Sequence, residues 1–307
     1  MRVVLGLAFV LLLAVGGTAL ALPRSHANSN PNPPSCTDLG DRFTKIKLLE
    51  QLPQAPHVLV LGSSRARPAM PPTVASLTGG PAFNAGVHAG TAADQYVFAR
   101  LLAQRFPAAR PAYLIFVDVG IAIDAVNPEI ADEPLARPFL GADASSQTTT
   151  CVDNHDYTAA GGLKGSEPSK AQRAAKVAAG LPAVLAGIPA DSKKPHHIDP
   201  AKTTYFQKLL RFANGQGAKP VVVLNPIYPK VLAKRVKYGF PELKAANVYL
   251  AWLHARYRFI ALNCQNIHTW GGLASDFSNV NHIDRTNMNR LLRYVVAHSG
   301  SALRAKH

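Results

Sequence analysis

The chain has 307 residues, of which 48% are hydrophobic and 17% charged, and its formal net charge is +15. This size and composition fit one globular domain with room for an insertion or a small second lobe. Lys and Arg are scattered singly, without a basic run or interleaved aromatic residues, so the positive charge does not indicate a nucleic-acid-binding protein.

The first 27 residues are typical of a signal peptide or an N-terminal membrane anchor. An apolar run covers residues 3–22, and Ala21 and Ala27 offer small residues for cleavage. The run has about the ~20 residues that cross a bilayer, so an uncleaved anchor is the alternative to cleavage. A Pro/Asn-rich linker is expected over residues 28–40. We therefore expect an exported protein, secreted or membrane-anchored, whose charge favours contact with anionic envelope polymers or lipid headgroups.

All three cysteines, Cys36, Cys151 and Cys264, follow the predicted signal peptide or anchor. In an oxidising compartment two of them can form a disulfide, and spacing alone allows any of the three pairings. No Cys/His cluster has the spacing of a zinc site. Neither a metal nor another cofactor is expected.

Five short apolar segments predict strands. They lack alternation of polar and apolar residues, as strands covered by helices on both faces do. The segments are residues 57–62, 81–86, 112–120, 220–226 and 258–264. Capped helical patterns lie between and after them, most clearly at residues 91–106 and 284–300. Strands that alternate with helices predict a parallel α/β sheet with right-handed crossovers.

The region from about residue 124 to residue 200 interrupts this alternation. Polar stretches rich in Ser, Thr and Lys surround one Ala-rich helical piece at residues 170–187. We interpret the region as an insertion after the third strand, at the edge of the sheet where lids and specificity loops tend to lie. The domain then extends over residues 41–300, and a short basic tail follows at 301–307.

Three segments are expected to meet where open α/β sheets bind ligands, beyond the carboxyl ends of the strands. They are the Gly-Ser-Ser-Arg turn at residues 62–65, a small-residue loop within residues 83–96, and residues 276–287, which place His282 before the last helix. A serine nucleophile needs a base, a group that orients the base, and N–H donors for an oxyanion. Each segment alone has an ordinary explanation as a turn or a helix start. Together, in this order, they favour a nucleophilic site.

The motifs resemble the SGNH/GDSL hydrolase superfamily, in particular exported members with a GSSR-type first block, over roughly Asp41 to Ala297. The resemblance implies a flavodoxin-like, three-layer α/β/α fold with a mostly parallel five-stranded sheet and an inserted segment after the third strand. It also implies that Ser64 is the nucleophile, with Ser63 standing where the family has Asp.

The second block of the family, Asn-x-Gly-x-x-Gly, is similar to residues 84–90. The resemblance implies that Asn84, Gly86, Ala89 and Gly90 form the oxyanion loop. Ala89 takes the place of the family's last glycine, whose N–H serves the oxyanion hole. A backbone donor survives that change where Ala can adopt the required conformation.

Two blocks depart from the family. Residues 117–124 contain no Gly-x-Asn-Asp, and Asn279 stands where the family has the Asp that orients His282. In a serine protease an Asp-to-Asn exchange at this place costs about 10⁴ in kcat, because the wrong tautomer is held. Either another acid substitutes, or His282 acts in a dyad, or activity is low or absent. Asp276 is the preferred substitute, since Asp284 is expected to cap the last helix.

Two further residues are expected near the substrate. Arg65 follows the nucleophile and either binds an anionic substrate group or forms an ion pair with Asp94 or Asp118. His88 either contacts the substrate or, with Asn84, anchors the loop.

These motifs together predict an exported serine esterase or O-acyltransferase/deacylase that acts on small acyl esters of cell-envelope glycans or lipids. An acyl-Ser64 intermediate would form while the N–H groups of Ser64 and Ala89 hold the oxyanion. The alternative is a catalytically degenerate domain of the same fold that binds an envelope ligand or scaffolds a partner. No nucleic-acid partner is expected.

Overall fold

The computed structural model describes residues 36–118, 126, 130–131, 133–141, 157–194, 196–200 and 204–305, with side chains from Gly40 onward. The predicted leader, the first part of the predicted linker and Cys151 lie outside these residues.

One all-parallel sheet organises the fold, with the strand order β2-β1-β3-β4-β5. Its strands are β1 (Val58–Leu61), β2 (Ala82–Asn84), β3 (Ala112–Val117), β4 (Val221–Leu224) and β5 (Ile260–Asn263). Every residue of the first four strands is buried, because helices cover both faces. All five predicted strands are therefore confirmed.

Helices form the two outer layers. The helices are α1 (Cys36–Glu50), α2 (Pro71–Thr78), α3 (Ala92–Arg105), α4 (Arg137–Leu140), α5 (Lys170–Asp191), α6 (Thr204–Gly215), α7 (Pro229–Lys237), α8 (Pro241–His254) and α9 (Arg285–His298). On one face, α1, α3, α6 and α8 pack against strand residues such as Leu59 and Tyr113. On the other, α2 and α9 pack against Val58 and Leu114. The predicted three-layer, flavodoxin-like α/β/α architecture is confirmed, and the observed strand order is the one usual for that architecture.

The inserted region contributes α5, which confirms the predicted Ala-rich helix. Ser169 and Gln172 form a capping box at its start. The helix packs on α7 and on the hairpin described below, and it buries Val177 and Ile188. Among the described helices, α5 has the length and composition that would allow a membrane crossing, which is weak evidence of one.

Three features differ from the expectations. Helix α1 begins at Cys36, so residues 36–40 of the expected linker are helical. A short antiparallel hairpin, β6 (Phe277–Asn279) and β7 (His282–Ile283), precedes α9 and was not predicted. The start of the expected basic tail is packed, because Leu303 is buried and the Ala305 N–H donates to Thr78 O.

Cys264 is buried and free. It follows β5 in the apolar core on the α9 face of the sheet, and burial raises the pKa of its thiol to about 12. Of the three pairings that the sequence left open, the two that involve Cys264 are therefore not formed in this structure. The remaining pairing, Cys36 with Cys151, lies outside the described side chains.

Candidate active site

The turn after β1 brings Ser64 to the edge of the sheet where strand order reverses between β1 and β3. Gly62 has φ +149°, a conformation that favours glycine, and a Cβ there would lie 2.9 Å from both Ala66 Cβ and Phe116 O. Ser64 then begins a 3₁₀ turn over Ser64–Ala66. The sharp turn leaves the Ser64 hydroxyl beyond the carboxyl end of β1.

His282 meets this hydroxyl from the other end of the chain. Ser64 Oγ lies 2.9 Å from His282 Nε2. His282 opens β7, two residues before Asp284, whose side chain caps α9 by accepting the Asn287 N–H. The hairpin and the capped helix thus place the imidazole at the Gly-Ser-Ser turn.

The amide of Asn279 sets the tautomer of His282. Asn279 Oδ1 accepts the backbone N–H groups of Asn281 at 2.8 Å and His282 at 3.0 Å. Because both of these partners are donors, the atom that faces them is the amide oxygen. The same oxygen lies 2.9 Å from His282 Nδ1, which must therefore carry the ring proton. Nε2 is left with a lone pair toward the Ser64 hydroxyl.

The role considered for Asp276 is taken by Asn279. Arg290 Nη1 lies 2.6 Å from Asp276 Oδ2, and Arg173 Nη2 lies 3.9 Å from its other oxygen. The Asp276 carboxylate is thus engaged on the α9 side of the hairpin. A neutral amide, not an acid, contacts Nδ1 of His282.

The surroundings of His282 keep it neutral. Burial, and then the positive charge of Arg65, lower the pKa of His282 from 6.5 to about 4, with smaller contributions from His88 and Arg67. Asp118 opposes this shift only weakly. At neutral pH the imidazole is therefore uncharged, the form that can accept a proton from Ser64.

Two backbone N–H groups are free to bind an oxyanion. Within the described part of the chain, neither the Ser64 N–H nor the Ala89 N–H donates to a protein acceptor. Ala89 has φ +46°, a left-handed conformation that is rare for a residue other than glycine. Both residues line the same cleft. Ala89 thus adopts the conformation that its alignment with a glycine required.

The loop of residues 84–90 packs directly on the Gly-Ser-Ser turn. A Cβ at Gly90 would lie 2.7 Å from Gly62 O, so only glycine fits this approach. Asn84 Nδ2 donates to the carbonyl oxygens of Ala66 and Ala69, and Asn84 Oδ1 accepts the Gly86 N–H at 2.8 Å. Asn84 is therefore a loop anchor that ties the two segments together.

Charged residues of α1 support this loop from below, and the sequence analysis missed them. Arg42 Nε lies 2.6 Å from Asp94 Oδ1, and both side chains are 1% exposed. Lys45 Nζ donates to Gly86 O at 2.5 Å, and Asp41 Oδ2 accepts the His88 N–H at 3.1 Å. The available signal was helical spacing, since Arg42 shares one face of α1 with the buried Ile46 and Leu49.

Of the two ion-pair partners considered for Arg65, the structure shows Asp118 rather than Asp94. Arg65 Nη1 lies 2.8 Å from Asp118 Oδ1, at the end of β3. Asp118 Oδ1 also accepts a hydrogen bond from Asn225 Nδ2 at 3.1 Å. Asn225, which follows β4, thus supports Asp118.

Two clefts meet at Ser64 and His282. The first, of about 420 Å³, is also lined by Arg65, Ala89, Gln95, Phe116, Asp118 and Phe206. The second, of about 480 Å³, is also lined by Arg67, His88, Lys164, Glu167, Lys176 and Arg285. We call them the first cleft and the basic cleft. Among the described residues, no group of three or more His, Cys, Asp and Glu side chains could hold a metal ion.

No protein-family model matches the chain, no curated protein matches it, and no solved structure matches it. The chemistry of the site therefore rests on the geometry above.

Proposed function

We propose that the protein is an exported serine esterase or O-acyltransferase, similar to SGNH/GDSL hydrolases, that acts on small acyl esters of cell-envelope glycans or lipids. The observation that carries the proposal is the 2.9 Å contact between Ser64 Oγ and Nε2 of His282. The lowered pKa of His282 and the free N–H groups of Ser64 and Ala89 support it.

The reaction proceeds through an acyl-serine. Ser64 Oγ attacks the ester carbonyl carbon, and its proton passes to His282 Nε2. The oxyanion accepts hydrogen bonds from the N–H groups of Ser64 and Ala89. Collapse breaks the bond between the carbonyl carbon and the leaving oxygen, which takes the proton from Nε2. Water, or an acceptor hydroxyl in a transferase, then attacks the acyl-Ser64 carbonyl in the same way and releases Ser64.

Asn279 orients His282 correctly as a base but gives its protonated form little electrostatic stabilisation. Its oxygen holds the Nδ1–H tautomer, so the tautomer error that costs about 10⁴ in the serine-protease exchange does not arise here. An amide, however, lacks the charge that would stabilise the imidazolium formed in the transition state, and Arg65 opposes that charge. We expect turnover that is slow compared with an enzyme carrying a carboxylate at this place.

Labelling with a fluorophosphonate tests the proposal. Peptide mass spectrometry should find the adduct on Ser64 in the wild type and in the matched control Ser63→Ala, and none in Ser64→Ala. His282→Ala should slow labelling by about 10²–10⁴, the contribution of a general base. A wild-type protein that remains unlabelled from mildly acidic to mildly alkaline pH would contradict the proposal.

A second candidate function is a catalytically degenerate domain that binds an envelope ligand. The neutral orienting residue, Asn279, favours it, as does the absence of a Gly-x-Asn-Asp block from the sequence. The same labelling separates the two candidates, because a degenerate site would leave Ser64 unmodified.

A further inference from the structure

The two clefts that meet at Ser64 differ in charge. One cation and one anion, Arg65 and Asp118, line the first cleft, and they pair with each other. Four cationic side chains and one carboxylate line the basic cleft; the cations are Arg67, Lys164, Lys176 and Arg285, and the carboxylate is Glu167. The positive charge beside the site is thus concentrated on one side of Ser64.

Much of this positive charge is uncompensated. The single carboxylate, Glu167, is engaged by Arg285. Arg285 Nε lies 3.4 Å from Glu167 Oε1, and the backbone N–H of Arg285 donates to the same oxygen at 3.2 Å. Lys164 and Lys176 are exposed, and in the described part of the chain neither has a carboxylate oxygen within 4.0 Å. Arg67 lies deeper, with its Nη1 3.5 Å from a carboxylate oxygen of Asp41. The basic cleft therefore presents the ammonium groups of Lys164 and Lys176 to a ligand.

The inserted region supplies part of the lining of the basic cleft. Lys164 and Glu167 lie just before α5, and Lys176 lies on α5 itself. Arg67 and Arg285 belong to the α/β domain and face the same cleft. A segment added to the sheet thus supplies the two unpaired lysines beside the candidate nucleophile, as expected of a specificity element.

We propose that the basic cleft binds a carboxylate-bearing polysaccharide, and that the ester cleaved or formed at Ser64 is an acyl ester of this anionic glycan. The inference rests on the proposed function. The acyl group then occupies the first cleft, beside Phe116, Phe206 and the free N–H of Ala89.

The remaining lining of the basic cleft fits a glycan. Ser166 and Ser278 add hydroxyl groups that can bond sugar hydroxyls, and His88 adds an imidazole. Lysine is a flexible point charge, so Lys164 and Lys176 can adjust to carboxylates repeated along a chain. Each exposed ion pair is weak on its own, so useful affinity requires several pairs in register along the polymer.

Charge reversal in the cleft tests the inference. The test variant is Lys164→Glu/Lys176→Glu. The matched control is Lys219→Glu/Lys237→Glu, which makes the same change in net charge at exposed lysines outside the clefts. The first readout is the KM for O-acetylated polygalacturonic acid relative to that for p-nitrophenyl acetate. We expect this ratio to rise about tenfold or more in the test variant, to stay constant in the control, and to rise with salt in the wild type. An equal rise in both variants, or none in either, would overturn the inference.

Two further measurements separate the sources of failure. Binding of de-esterified polygalacturonic acid to the Ser64→Ala protein needs no catalysis, so it supports the cleft even where labelling of Ser64 fails. O-acetylated xylan, a neutral glycan, should show no change in relative KM on charge reversal. Anionic phospholipid vesicles that compete with the polysaccharide as effectively as free polygalacturonic acid would overturn the choice of a glycan.

Discussion

Ser64 and His282 reach the candidate site from parts of the chain that are held by different forces. Buried charges support the Ser64 half, where Arg42 and Lys45 of α1 bind Asp94 and the loop carbonyl oxygens. In the His282 half, neutral hydrogen bonds from one amide on a two-stranded hairpin orient the imidazole.

Because of this difference, the residues that stabilise the site are not the residues that set the basicity of His282. The oxyanion loop can be rigid because charges buried beneath it are paired. The histidine remains a neutral base because the charges nearest to it are mainly positive and the group that orients it carries none. Changes in the Ser64 half should therefore alter stability first, and changes in the His282 half should alter the pH dependence and the rate.

The largest effect on stability is expected from breaking the buried ion pair that supports the Ser64 half. Arg42→Met leaves the Asp94 carboxylate buried without its cation, which should lower the free energy of unfolding by about 3–5 kcal/mol. The matched control is Arg65→Met, which breaks a partly exposed pair and should cost about 0–1 kcal/mol. Denaturant unfolding of both variants measures the contrast. Equal small losses would show that buried charges do not hold this half.

An intermediate effect is expected in the His282 half. Asn279→Ala frees the imidazole to reorient and should lower kcat/KM for p-nitrophenyl acetate by about tenfold to a hundredfold, with little change in the melting temperature. Asn279→Asp adds a negative charge beside Nδ1, which should raise the pKa of His282 and increase kcat.

Asn266→Ala is the control for the changes at Asn279. It removes a similar side-chain bond to a backbone N–H, the cap of the 3₁₀ turn Ile267–Trp270, away from Ser64. An Asn279→Ala enzyme as active as the Asn266→Ala enzyme would remove Asn279 from the mechanism.

The smallest effects on stability are expected from substitutions at two neighbouring residues of the oxyanion loop. Ala89→Gly should raise the free energy of unfolding by about 1 kcal/mol, because Ala89 has a left-handed backbone conformation. Gly90→Ala should lower it by about 1–3 kcal/mol, since its Cβ would press on Gly62 O. Thermal unfolding of both variants gives the signs. Two changes of the same sign would contradict the backbone conformation described for this loop.

The sheet was predictable because its strands are buried on both faces. Strands such as β1 and β3 are unbroken apolar runs, and this pattern reads directly from the sequence. The hairpin was not predictable, because strands of two and three residues are too short to show a period. The charged residues of α1 were missed for another reason, since a Lys such as Lys45 is normally exposed and here is fully buried.

The residues of the site could be named from the sequence, but their chemistry could not. The order of motifs selected Ser64 and His282, which the structure brings into hydrogen-bond contact. The tautomer of His282 depends on which atom of Asn279 faces two backbone donors, and that needs coordinates. The charge difference between the clefts depends on where the inserted region packs, which no local pattern encodes.

The pH dependence of Ser64 phosphonylation tests the central claim most directly. Below its pKa, His282 carries a proton on Nε2 and cannot accept the proton of Ser64, so the rate should rise with pH through a midpoint of about 4. It should then be level from about pH 5 through neutrality. A midpoint near 6.5, the ordinary value for histidine, would contradict the positive, desolvated environment assigned to His282. A rate that does not depend on His282 at any pH would contradict its role as the base.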